Sequence, residues 1–294
     1  MITKLKKNEI FVFGSNLNGE HLGGAAAQAH KSFGAEWGIG EGLTGQSYAF
    51  PTLDKKMKKV SLKALQKSKD KLYKCVKENP DKTFLLTKVG TGIACFEEEE
   101  IKQLFAGYKP INIKLPEDWN FKWKFLRTGL KSDYGNFKWK LNKWEKETDI
   151  SICNRGFHCS DTILQALGYV KGEILAQVEV GGKSIIETDK SAWEEMRIVK
   201  AYNWTKKDSV ALSIFAAELC IENFEKIFPN DKRPREAIEA AKKWLANPTK
   251  KNESAAWSAA ESAARSAWSA AESAVIQKIS NWLEERVNSL EEIN

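Results

Sequence analysis

The stretch from Phe11 to Gly34, FVFGSNLNGEHLGGAAAQAHKSFG, decides the fold of the first part of the chain. Its apolar start reads as a strand, its glycines at 14, 19, 23 and 24 as a loop, and its alanine-rich part as a helix closed by Gly34. Glycines let backbone amides come close to a ligand, and the helix that follows aims its unpaired N–H groups and positive dipole end the same way. That combination suits a phosphate or a diphosphate. A plain tight connection would look the same, because the loop carries neither the G-x-G-x-x-G spacing nor the G-K-[ST] of the common nucleotide signatures.

Working outward, strand and helix alternate as far as residue 116. QSYAFPT, KTFLLTKV and INIKL read as further strands, and the lysine-rich segment around Leu62, Leu65, Leu72 and Val76 and the segment EEEEIKQLFAGY as helices. A mixed sheet covered by helices, an α/β domain, is the expectation. A second strand, loop and helix occurs at FLLTKVGTGIACFEEEE, with Gly90 and Gly92 at the strand end. Two such loops on neighbouring strands form the two lips of one crevice. A third cluster, Gly38, Gly40, Gly42 and Gly45, could close its side. Glu97 to Glu100 would repel a phosphate at their helix end, so an anion should meet the amides of Gly90 to Ile93 while the glutamates turn to solvent.

The order FVFGSN, GGAAAQA, GLTGQSYAFPT, VGTGIACF and INIKLPEDW resembles a family of small phage and bacterial proteins related to macrodomains, over residues 9 to about 119. The resemblance implies a pocket shaped for ADP-ribose or a related NAD-derived nucleotide, with no further cofactor and no metal. Carried over by position, Gly14, Ser15 and Asn16 belong to the ligand-binding set, and Asn16 hydrogen-bonds the distal ribose. Gly23, Gly24 and Ala25 approach that ribose closely. Gly90, Thr91, Gly92, Ile93 and Ala94 cradle the diphosphate, and Gly45 and Gln46 lie beside the pocket wall. If such a pocket does chemistry, it is hydrolysis of the ADP-ribosyl type, which needs a carboxylate or imidazole to activate water or a lysine to attack directly. Around the loops these are Glu20, His21 and Lys88. Binding without turnover is the full rival.

Residues 120–205 read as an α+β domain. FKWKF at 121 and FKWKL at 137 place aromatic residues on one face and lysines on the other, and ILAQVEVGGKSIIE reads as a hairpin turning on Gly181-Gly182. Alternating aromatics and lysines could stack single-stranded nucleic acid, but a sheet with one apolar face needs the same pattern, and the latter reading is preferred. CNRGFHC, Cys153 to Cys159, is too short of partners for zinc, while Arg155 and His158 form a second candidate site for an anionic ligand. The segment with RTGL and CNRGFHC resembles another uncharacterised domain of phage and bacterial proteins.

Residues 206–294 read as all-α, with Asp208 capping a helix through Phe228, Pro234 opening another, and Asn247-Pro248 ending it. WSAAESA recurs after eleven residues, so Trp257 and Trp268 share a face that either packs within the chain or joins a second copy. Residues 215–245 resemble the immunity proteins of bacterial toxin loci. This implies a setting of phage–host or toxin conflict and, as the alternative function, a protein partner neutralised through the helical region.

The net charge of +7 lies wholly in residues 1–116, which hold 19 lysines, no arginine and 12 acids. A solvated lysine-rich helix accounts for most of it. Five irregularly spaced cysteines make no disulfide framework, and no apolar run reaches membrane length. The expectation is a protein of the reducing cytoplasm of a bacterial host cell, not bound to membrane.

Overall fold

The computed structural model describes residues 2–119, 121–135, 137–170, 172–248 and 273–293. The chain divides into two compact units, residues 1–121 and 122–294.

The first unit runs β1 (Glu9–Asn16), α1 (Gly24–Ser32), β2 (Gly42–Thr44), β3 (Ser47–Leu53), α2 (Leu62–Glu78), β4 (Thr83–Leu86), α3 (Glu98–Phe105) and β5 (Ile113–Lys114). Its sheet has the order β2-β3-β1-β4-β5. β1 pairs in parallel with β3 on one side and β4 on the other, β4 pairs in parallel with β5, and β2 is antiparallel to β3. The unbroken apolar run of β1 is what a strand buried on both faces requires. Phe11 and Phe13 pack with Ala26 and Ala29 of α1 and with Phe33, its C-cap, on one face. Ile10 and Val12 pack with Leu65, Leu72 and Val76 of α2 and Ile101 and Phe105 of α3 on the other. Helix α2 starts where the Ser61 hydroxyl accepts from the Ala64 amide at 3.2 Å. α3 starts on a capping box in which Glu97 and Glu100 satisfy each other's amides. The expected α/β arrangement with a mixed sheet is present.

The second unit contains β6 (Phe121–Leu126, whose first residue belongs to the other unit), β7 (Glu145–Lys146), β8 (Phe157–Cys159), α4 (Ile163–Leu167), β9 (Ile174–Ile186), β10 (Ser191–Asn203), α5 (Lys206–Glu218), α6 (Ile221–Ile227), α7 (Arg233–Ala246) and α8 (Ser273–Val287). The sheet order is β6-β9-β10-β7, and β8 also pairs with β10.

Three expectations are corrected in this unit. Gly181-Gly182 is not a turn: β9 runs straight through it, and the chain reverses where the Glu187 amide donates to the Lys190 carbonyl at 2.9 Å. Opposite the glycines the β9–β10 register slips between Trp193 and Glu195, and a Cβ on Gly182 would stand 2.9 Å from Cβ of Glu194, so the pair serves a bulge. The helix expected from Asp208 to Phe228 is two helices, α5 and α6; Thr205 is the cap of α5, and Asp208 is its capping-box partner. The C-terminal region is not a separate all-α domain. Asn203 donates to the Glu291 carbonyl and Ile293 to that of Ala201, so the end of the chain pairs along β10, and Asp208 of α5 binds Arg286 of α8. The WSAAESA repeat lies outside the described residues.

Candidate functional site

Because β1, β3 and β4 are parallel, the loops after β1 and β4 leave the same edge of the first sheet, side by side. From β1 the chain turns through α1 toward β3. From β4 it turns through α3 toward β5, and the two helices cover opposite faces. The β1/β4 boundary is therefore the switch point of the sheet, the place where open α/β sheets form a crevice. The turns meet closely here: a Cβ on Gly14 would lie 3.2 Å from the Gly90 amide nitrogen and 3.6 Å from Thr52 Oγ1. Gly90 has φ +81°, a left-handed backbone that favours glycine.

The expected binding residues divide into those that face open space and those already engaged. Added Cβ atoms on Gly23, Gly24 and Gly92 would meet nothing within 4 Å. Among the described residues the amides from His21 to Ala26 and those of Gly92, Ile93 and Ala94 donate to no backbone carbonyl. α1 has no side-chain cap. Leu22 and Ile93 are 76% and 75% exposed on the two lips. Thr91 turns its hydroxyl back to the Lys88 carbonyl at 2.9 Å.

Asn16 is buried and holds its own loop, its Nδ2 donating to the Glu20 carbonyl at 2.7 Å and its Oδ1 accepting from the amides of Asn18 and Glu20. Ser15 donates to the Gly40 carbonyl, which brings the third glycine cluster against the first loop. Gly45 and Gln46 are not beside the crevice. They precede β3 at the amino end of the sheet, six positions from the level of Asn16 and so about 20 Å away along the strand. There Gly45 abuts Gly34, and Gln46 Nε2 donates to the carbonyls of Lys6, Lys7 and Glu9.

Of the candidate catalytic groups, Lys88 is bound to both Glu98 and Asp118. These carboxylates, Asp118 foremost, raise its pKa and hold the ammonium protonated, which removes it as an attacking amine. The glutamates of α3 are accordingly not all turned outward. Glu98 accepts from Lys88 and from Trp119 Nε1 at 2.9 Å, and Glu100 pairs with Lys59 at 3.2 Å.

His21 is 2% exposed, edge-on to Phe13 and near Trp37, with Nε2 at 3.1 Å from the Glu36 carbonyl. Its Nδ1 finds no partner among the described residues. Glu20 contributes its backbone to the Asn16 turn. Burial lowers the pKa of His21, and it lowers that of His158 as well. A depressed imidazole pKa favours the fold in its neutral form. That stability is present above the ordinary value near 6.5 and is lost as pH falls toward the folded values. The melting temperature is expected to drop as pH falls below about 6.5, and His21→Gln should flatten the slope in a pH series of thermal melts.

Arg155 and His158 each have a partner of their own. Arg155 pairs with Asp149 at 2.9 Å on the surface, while His158 Nε2 accepts from the Cys153 amide at 2.9 Å. Cys153 Sγ lies 3.2 Å from Lys190 Nζ, and Cys159 Sγ 3.6 Å from Ser191 Oγ. Among the described residues no group of three or more His, Cys, Asp and Glu could hold a metal ion, and no helix is long and apolar enough to cross a membrane. At the turn from α6 to α7, exposed Ile227 and Phe228 border a shallow depression also lined by Asp231, Arg233 and Glu236.

Residues 121–207 match the profile of a domain of unknown function, DUF7666. No macrodomain or immunity-protein family matches the chain. No curated protein and no solved structure matches it.

Strand alternation in FKWKF correctly marks Trp123 and Phe125 as buried, yet it misses that Lys124 is half-buried, its ammonium over the Trp139 ring. The second FKWKL copy supplies that tryptophan, so the signal lay in the pair of motifs and not in either alone. Thr52 was also missed; its hydroxyl donates to the Ser15 carbonyl at 3.2 Å and braces β3 against the end of β1.

Proposed function

We propose that the first unit binds an NAD-derived nucleotide, ADP-ribose or a close relative, in the crevice between the β1 and β4 loops. The observation that carries this reading is the juxtaposition of two glycine turns at the sheet's switch point. The amides from His21 to Ala26 and from Gly92 to Ala94 donate to no backbone carbonyl among the described residues, and Gly23, Gly24 and Gly92 open onto free space. Amides of this kind bind phosphate oxygens without a charged side chain, and an uncapped helix start adds its dipole. Exposed Leu22 and Ile93 would border the apolar faces of the ligand.

Binding without turnover is the form of this function that the side chains favour. Lys88 is held as an ammonium between two carboxylates, and His21 is buried with its Nε2 committed to the Glu36 carbonyl. Sequestration of a nucleotide signal inside a bacterial cell, in phage–host conflict, is the setting proposed. Calorimetric titration of the full chain with ADP-ribose and with NAD tests the reading. One site per chain is the expected result; no heat with either ligand at millimolar concentration rejects it.

A further inference from the structure

The far half of β9 runs along the rim of its sheet. β6 has 6 residues against 13 in β9, and it lies along the first part of that strand, because the Glu173 amide donates to the Leu126 carbonyl at 3.1 Å. Among the described residues no strand flanks the outer side of β9 past Gly182. The inner side is taken: Ser184, Ile185 and Ile186 pair with Trp193, Ala192 and Ser191 of β10, which carries β8 on its other side. Every residue from Gly182 to Asp189 is exposed, Ile185 and Ile186 among them at 39% and 65%.

The hairpin fixes which backbone groups point outward. The Glu187 amide donates to the Lys190 carbonyl, and pairs along an antiparallel ladder alternate between bonded and non-bonded. Ile185 with Ala192 is then the next bonded pair, and the Lys183 amide also turns inward, to Glu194 Oε2 at 2.9 Å. The amides and carbonyls of Ser184 and Ile186 therefore aim away from β10. A row of such groups on an exposed edge is a template for another strand.

This edge is complementary to itself. Two copies pairing antiparallel about a two-fold axis can bring their outward groups together in three ways. Centred on Ser184, the pairing sets Lys183 against Ile185; centred on Ile186, it sets Glu187 against Ile185. Centred on Ile185, it bonds Ser184 to Ile186 in both directions, sets Ile185 against its own copy, and places Lys183 opposite Glu187 twice. An edge lysine ordinarily discourages strand addition, but in this register it meets an opposite charge. The partners that Lys183 and Glu187 have within the chain, Glu194 at 3.7 Å and Lys190 at 3.4 Å, do not stand in the way, since surface pairs of this kind hold weakly.

We propose that two copies of this chain join through the outer edge of β9, from Lys183 to Glu187, as an antiparallel two-fold pair of strands that continues one sheet into the other.

Sedimentation equilibrium of the full chain tests this from about 10 µM to 1 mM, because so short an edge makes a weak dimer. The mass is expected to rise from one chain toward two. Lys183→Glu and Glu187→Lys, which each set like charges opposite one another, should each weaken the dimer at least about tenfold, while the double variant restores opposite charges and recovers it. All three variants should melt with the wild type, because both positions are exposed. A chain that stays monomeric at about 1 mM overturns the proposal and leaves the edge to a strand of another protein. A dimer that both single reversals leave intact overturns it too, as does a double variant no stronger than the single ones.

Discussion

Replacing Arg197 with Met is expected to destabilise the second unit by about 3–5 kcal/mol. Arg197 on β10 lies directly across from Glu179 on β9, its Nε donating to Glu179 Oε2 at 2.8 Å, and the two side chains are only 8% and 6% exposed. By alternation they occupy the sheet face opposite Val178, Val180, Met196 and Ile198, and the guanidinium also lies 5.0 Å from the Trp144 ring. Removing Arg197 takes the paired guanidinium away from a buried carboxylate. The cost is desolvation of the survivor and not the worth of the pair. The double replacement Arg197→Met with Glu179→Leu is therefore expected to recover most of the loss. Urea unfolding of the two variants separates these outcomes: equal damage from both would mean that the pair is held for its packing alone.

Gly40→Ala is expected to cost about 3 kcal/mol and to abolish nucleotide binding together. A Cβ at this buried position would stand 2.3 Å from the Asn16 carbonyl oxygen and 2.8 Å from Leu17 Cα. Both are backbone atoms, so no rotamer change relieves the collision. The segment would have to leave the β1–α1 loop, breaking the bond from the Ser15 hydroxyl to the Gly40 carbonyl and releasing the loop that Asn16 folds. Thermal melting and titration on the same sample check both effects.

The parts legible in the sequence are those that local periodicity dictates. The apolar start of FVFG was legible as a strand and the alanine-rich segment as a helix; that the strand is buried on both faces, with Ala26 and Ala29 against Phe11 and Phe13, is what the structure adds. The two glycine turns were legible as a pair for the same local reason. What stayed hidden depends on partners far along the chain. Gln46 could be placed at the wrong end of the sheet because only the parallel pairing of β1 with β3 says which end of β3 lies beside Asn16. Gly181-Gly182 could be read as a turn because a turn and a bulge ask for the same residues, and the choice is made by Glu194 on the opposite strand. Lys124 looked solvent-facing by alternation, since the Trp139 that covers it arrives from a segment with its own, separate periodicity. Asn16 was legible as a polar strand end but not in what it binds. A short amide there can hold a ligand or its own turn, and here both ends of the amide are engaged with the turn.

The central claim is that the amides flanking Gly92 and α1 receive the phosphates of a nucleotide. Its most direct test is ADP-ribose titration of wild type and Gly92→Ala side by side, with thermal melts of both. A Cβ at Gly92 meets nothing within 4 Å, so the melts should agree to within the effect of about 0.5 kcal/mol usual for such sites, while affinity falls about tenfold as the methyl occupies the ligand's space. Equal affinity in the two proteins, or no binding by wild type, would contradict it.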